Sequence, residues 1–194
     1  MKTLRVASLC SVLFAPALSQ AAPLTVVDVG APAINCVFNP TCTVTVTDTP
    51  GAIMLPTNLG SGNLQSRTFD SAAGAPAYPL HGYDYRIDMT QVKGKNCVAA
   101  MRIDTGPLAT LDYKPGTPAQ LYVVTSGGLG SVGIGSADLT AGILTVNFHG
   151  AVCPGSTSYF FGLAAKGTPV DTKAELKPTI PGPAVTVPAR APKH

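Results

Sequence analysis

This sequence predicts an all-β fold: a disulfide-stapled β-sandwich, Ig-like or jelly-roll-like, of about ten short antiparallel strands. Three observations predict it. Several segments alternate with a period of two and none shows helical periodicity, and the chain holds 21 threonines but a single glutamate, Glu175. Clusters of Gly, Pro, Asn and Asp punctuate the chain at short intervals, the rhythm of strands joined by turns. Four cysteines, Cys36, Cys42, Cys97 and Cys153, follow what reads as an export leader, an even number that two bridges would satisfy.

The leader comes first in the chain. Lys2 and Arg5 precede an apolar run from Val6 to Leu18, and Ser19-Gln20-Ala21 supplies small residues at the third and last positions before a cut. This predicts a signal peptide over residues 1–21, cleaved after Ala21, and a secreted or periplasmic protein. The run is shorter than the ~20 residues a membrane-spanning helix needs. Residues 22–194 then form one domain, with 177–194 a proline-rich terminal segment. Without Lys2 and Arg5, eleven basic residues face ten acidic ones. So balanced a charge, with no basic stripe, argues against a nucleic-acid partner.

The cysteines allow three pairings. Cys36 and Cys42 bracket Asn39-Pro40, a turn former that brings the ends of a short loop together, which favours Cys36–Cys42 and Cys97–Cys153. A zinc site would bring a second close cysteine pair, and a redox switch the shorter Cys-x-x-Cys.

The strands follow in order. In "TCTVTVTD" the threonines Thr41, Thr43, Thr45 and Thr47 take one face and Cys42, Val44 and Val46 the other, so the valine face is expected in a core and the threonine face in water. Further strands are expected near residues 24–29, 52–55, 64–69, 83–90, 98–104, 109–113, 120–125, 143–148, 159–165, 173–177 and 184–189. The stretch "DSAAGAPAYP", residues 70–79, reads as a long loop of small residues and prolines, unsuited to packing a core.

Candidate chemistry is sparse. In "HGYDYRIDMT" the alternation sets His81, Tyr83, Tyr85, Ile87 and Met89 against Asp84, Arg86, Asp88 and Thr90. The charged side reads as a balanced solvent face or a recognition patch. Calcium at Asp84 and Asp88 would be opposed by Arg86 between them. Gly128, Gly130 and Gly133 spell a dinucleotide-type Gly-x-Gly-x-x-Gly after the strand "LYVVT", but "IGSADLTAG" offers no helix to receive a pyrophosphate, so a mobile glycine loop is expected. Tyr83, Tyr85, Arg86, Asp88, Gly128 and Gly130 are therefore the candidate binding surface. The three histidines, His81, His149 and His194, form no zinc pair, and no Gly-x-Ser-x-Gly elbow occurs. No catalytic residue, metal ligand or cofactor site is predicted.

Taken together, "INCVFNPTCTVTVTD", "QSRTF", "YDYRIDMT", "YVVTSGGLGS" and "FFGLA" resemble an uncharacterised family of small exported bacterial β-sandwich proteins, related to those bearing C-terminal Pro-Glu-Pro sorting signals. The resemblance spans most of residues 34–165 and implies an exported β-domain with two cysteine pairs, but no activity. Here the chain closes on "VPARAPKH" rather than on a hydrophobic sorting tail, which points to a soluble periplasmic or released protein. The expected function is a non-enzymatic structural or interaction module of a bacterial surface, periplasm or extracellular matrix, binding a protein or glycan partner through loops. A glycan- or small-ligand-binding module and a hydrolase of an extracellular or envelope polymer are the alternatives.

Overall fold

A computed structural model describes residues 21–194; residues 1–20 of the expected leader, Cys10 among them, lie outside the described residues. In chain order the elements are β1 (Ala22–Pro23), β2 (Val26–Gly30), a 3-10 helix (Ala33–Val37), β3 (Thr47–Ile53), β4 (Gly62–Asp70), β5 (His81–Asp88), β6 (Val98–Asp104), β7 (Leu111–Lys114), β8 (Thr117–Ala119), β9 (Leu121–Ser126), β10 (Ile134–Thr140), β11 (Ile143–Val152), β12 (Phe161–Ala165), β13 (Pro169–Pro178) and β14 (Val185–Pro192).

They build two six-stranded sheets packed as a sandwich. Sheet I runs β1-β10-β11-β6-β13-β14 and sheet II runs β2-β9-β12-β5-β4-β3, with β7 and β8 a separate hairpin. Pairing is antiparallel except for β2 beside β9. Alternation explains the layers. In β5, Tyr83, Tyr85 and Ile87 point between the sheets and are fully buried, while Asp84, Arg86 and Asp88 point out from sheet II. The inner face of sheet I answers with Val98, Met101, Ile103, Leu144, Val146, Leu176 and Val187. Tyr85 and Phe148 both pack on Phe161, with ring centroids 5.8 and 5.9 Å apart.

A second core lies on the outer face of sheet II. Val27, Phe69, Tyr122, Val124 and Ala164 are covered there by Ile34, Val37 and Phe38 of the 3-10 segment, by Ala77 and Leu80, and by Tyr113 of the hairpin. Phe38 meets Phe69 edge-on at 4.8 Å. Residues 71–80 form the expected loop between β4 and β5, but one that packs a core, with Ala77 and Leu80 buried in it. Its alanines let the chain lie close on Phe38, and its amides bond across, Ala72 N–H to the Phe38 carbonyl and Ala77 N–H to that of Val37.

Other differences have local causes. "CTVTV" is not a strand: the chain pairs only from Thr47, and Val44 and Val46 run outside the sheet, Val46 exposed. The threonine side does face water. The glycine-rich stretch leads into a strand the sequence hides, β10, where a bulge between Ile134 and Ser136 breaks the alternation. As expected near residues 184–189, the proline-rich terminal segment carries a strand, β14, paired along β13. Its Pro188 and Pro192 are tolerated because β14 is an edge strand with one unpaired side.

Both disulfides are the predicted ones, Cys36–Cys42 and Cys97–Cys153. Two bridges place the folded chain in an oxidising, extracytoplasmic setting.

Candidate functional site

One row of residues crosses sheet II at the boundary between its covered and open halves. Arg67 on β4 faces Asp84 on β5, Asp84 faces Gly162 on β12, and Gly162 faces Tyr122 on β9. Gly162 has no side chain, so the Tyr122 phenol reaches across it and donates a hydrogen bond to Asp84 Oδ1. A Cβ at Gly162 would lie 2.1 Å from Asp84 Oδ1 and 2.5 Å from the Tyr122 hydroxyl. The glycine of "FFGLA" is therefore the gap through which this pair meets.

Gly162→Ala tests that geometry. The added methyl has to separate carboxylate and phenol, and overpacking of this kind costs about 2 kcal/mol. The expected result is a lower urea midpoint together with loss of the Asp84–Tyr122 contact, read from the Asp84 carboxyl titration by NMR.

Burial raises the Asp84 pKa to about 6; the Tyr122 hydrogen bond and the nearby Arg67 cation pull the other way without cancelling it. The Tyr122 phenol is held well above its usual range by burial and by the Asp84 charge. Arg67 is fixed by Asp48, its Nε 2.8 Å from the carboxylate, while Gln65 donates to the same oxygen at 2.9 Å. Its guanidinium lies 4.3 Å from the centroid of the Phe160 ring, and that of Arg86 lies 5.0 Å from the same ring.

Arg67, Asp84 and Phe160 form the floor of a cleft of about 400 Å³. Asn35 and its helix make one wall with Val44 and Val46, and Gly127, Gly128 and Leu129 make the other. The Cys36–Cys42 bridge ties the two ends of the loop that joins the helix to Val44. Opposite it, the glycine loop lies close against its neighbours. Gly127 has φ +66°, open to glycine, and a Cβ there would lie 2.3 Å from the Ala31 carbonyl oxygen. Gly130 sits as closely against the Ser158 carbonyl, and Ala31 N–H bonds to the Ser126 carbonyl at 2.9 Å. On this rim Leu129 is 65% exposed. Clefts of about 480 and 430 Å³ lie elsewhere, but the charged side chains lining them are exposed.

The predicted surface residues divide. Gly128 lines the cleft, and Arg86 stacks on the Phe160 at its floor. Gly130 belongs to the loop's anchor. Tyr83 and Tyr85 are a correction: both are fully buried between the sheets, their hydroxyls donating to the carbonyls of Gly167 and Arg190, and neither offers a surface. Asp88 is engaged by Thr90 and, at 3.4 Å, by Arg86. Burial works against its ionisation, but the Thr90 hydrogen bonds and the Arg86 cation outweigh this and hold its carboxyl below the usual range. Four residues along one strand separate Asp84 from Asp88 by about 13 Å, too far for a shared calcium ion. Arg67, Phe160 and Leu129 are the cleft residues that sequence reasoning missed, and Tyr122 is the buried partner of Asp84 that it also missed.

No family model, no curated protein and no solved structure matches this chain.

Proposed function

We propose that this chain is an exported, non-enzymatic binding module of the periplasm, cell surface or extracellular matrix, and that it takes its ligand in the cleft over Asp84. The observation that carries the reading is the lining. Apolar side chains, Val44, Val46, Leu129 and Phe160, surround two polar anchors, Arg67 and Asp84. Clefts of this size, mostly apolar with a few fixed polar groups, are the usual form of ligand sites. Among the described residues the lining holds one carboxylate and no histidine, and His149 is exposed away from it on β11. That supports binding over paired-carboxylate hydrolysis. Because both guanidiniums cover Phe160, its ring is a poor stacking platform for a sugar, and a protein segment inserting a side chain fits better than a glycan.

Peptide and glycan arrays, probed with the folded, disulfide-bonded protein, test the reading. A peptide class is expected to bind, with affinity falling at least tenfold in Arg67→Ala and in the Val46→Ser/Leu129→Ser double variant. Turnover of an envelope polymer that disappears in Asp84→Asn would overturn it in favour of a hydrolase.

A further inference from the structure

The end of the sandwich where β3 turns into β4 carries an unusual surface. Met54 is 70% exposed and Leu59 73%, both in that loop, and Ile180 in the β13–β14 connection is 40% exposed. These are three of the six large apolar side chains left exposed among the described residues. Leu59 bridges Lys93 through a pair of backbone hydrogen bonds, so a lysine stands beside the most exposed leucine. Lys95 and Lys177 are also exposed at this end. The segments that form it, residues 53–63, 89–99, 152–157 and 176–184, contain these three lysines and no aspartate or glutamate. The flanking carboxylates are already paired, Asp88 with Arg86 at 3.4 Å and Glu175 with Arg102 at 3.0 Å.

The loops are held in this arrangement. Buried Asn96 donates to the Pro56 carbonyl at 3.0 Å and accepts from Ile180 N–H at 3.1 Å. Asn58 donates to the Asn96 carbonyl at 2.8 Å and accepts from its N–H at 3.1 Å. One buried amide thus laces three loops, and Cys97 beside it is bonded to Cys153. The apolar side chains project from backbone that cannot fold back to cover them.

We propose that this end docks on an anionic lipid surface, with Met54, Leu59 and Ile180 entering the headgroup region and Lys93, Lys95 and Lys177 facing lipid phosphates. Charge complementarity selects the occupant: the patch is cationic and lacks carboxylates. The apolar trio separates a lipid surface from a soluble polyanion, which would need only the lysines. The proposal does not rest on the cleft, although the glycine loop on the cleft's rim leaves β9 at this same end and bonds to Thr157.

The test is co-sedimentation of the folded, disulfide-bonded protein with vesicles of three parts phosphatidylcholine to one part phosphatidylglycerol, and with pure phosphatidylcholine. The protein is expected to pellet with the anionic vesicles at 0.1 M salt, and far less with phosphatidylcholine or at 0.5 M salt. Each lysine near such a surface contributes roughly fivefold, so Lys93→Gln/Lys95→Gln is expected to weaken binding roughly 25-fold. Met54→Ser/Leu59→Ser is expected to weaken it at least tenfold. All four side chains are exposed, so an unchanged melting curve certifies the fold of each variant, and Val46→Ser, beyond the opposite end of β3, is expected to pellet like wild type. Absence of binding to the anionic vesicles overturns the proposal. So does equal binding to phosphatidylcholine, or binding that survives the Met54→Ser/Leu59→Ser change, which would mark a polyanion site.

Discussion

Replacing Cys97 and Cys153 together by alanine is expected to remove about 4 kcal/mol of stability, the loop-closure value for a bridge spanning their 56-residue separation. Stabilities of single domains run about 5–15 kcal/mol, so the loss is a large share of the whole. The bridge's position adds to its effect. Cys97 precedes β6 and Cys153 follows β11, so it locks two neighbours in sheet I where their register slips between Asn147 and Val152. The turn after Cys153 then reaches sheet II, Met89 N–H bonding to the Ser156 carbonyl and Gly155 N–H to the Met89 carbonyl, each at 2.9 Å. The staple therefore fixes, within sheet I, the turn whose hydrogen bonds reach sheet II at the end laced by Asn96. The matching removal of Cys36–Cys42 closes a far smaller loop and is expected to cost only about 2 kcal/mol. Urea unfolding of both double variants without reductant checks the ranking. Equal losses, or a larger loss for the short loop, would show that native contacts rather than chain entropy set the effect.

How much of this was legible in the sequence depends on whether a feature is local. β6 was expected over residues 98–104 and stands at Val98–Asp104, because from Met101 on its alternation, Met101 and Ile103 in and Arg102 and Asp104 out, matches a strand with one face in the core. The disulfide pairing followed from cysteine spacing and one Asn-Pro turn. The candidate cleft was not legible in the same way. Arg67, Asp84, Tyr122 and Gly162 meet only through the register of four strands far apart in the chain. No spacing rule links a glycine in "FFGLA" to a tyrosine in "LYVVT". Tyr83 and Tyr85 show the converse error. Their alternation with Asp84 and Arg86 was read correctly, but alternation alone does not say which side of a strand meets the partner sheet. β10 stayed hidden because a glycine and a bulge erase its period. The packing of residues 71–80 stayed hidden because small side chains bury well only when a ring such as Phe38 lies beneath them.

Asp84→Asn is expected to stabilise the protein at pH 7.5 by about 3 kcal/mol and to leave it nearly unchanged at pH 4. The sign follows from burial, which places the folded-state pKa at about 6, above the ordinary carboxylate value. Between about pH 4 and pH 6 the folded protein binds a proton that the unfolded chain has begun to release, so stability falls as pH rises through this window. Above it the buried charge imposes its full penalty, which the Tyr122 hydrogen bond and Arg67 only reduce. An asparagine oxygen still accepts from Tyr122 but carries no charge, so the variant's stability is expected to be flat across the window where wild type declines. Urea midpoints from pH 4 to 7.5 decide this, and a gain of the same size at every pH would show that shape rather than charge is responsible. The comparison also bears on the cleft. A carboxylate that weakens the empty fold at neutral pH is a ready partner for a ligand that brings an N–H donor or a cation. If Asp84→Asn gains stability and loses peptide binding together, the penalty belongs to the binding site; a variant that gains stability and binds as before would remove Asp84 from it and leave Arg67 as the cleft's polar anchor.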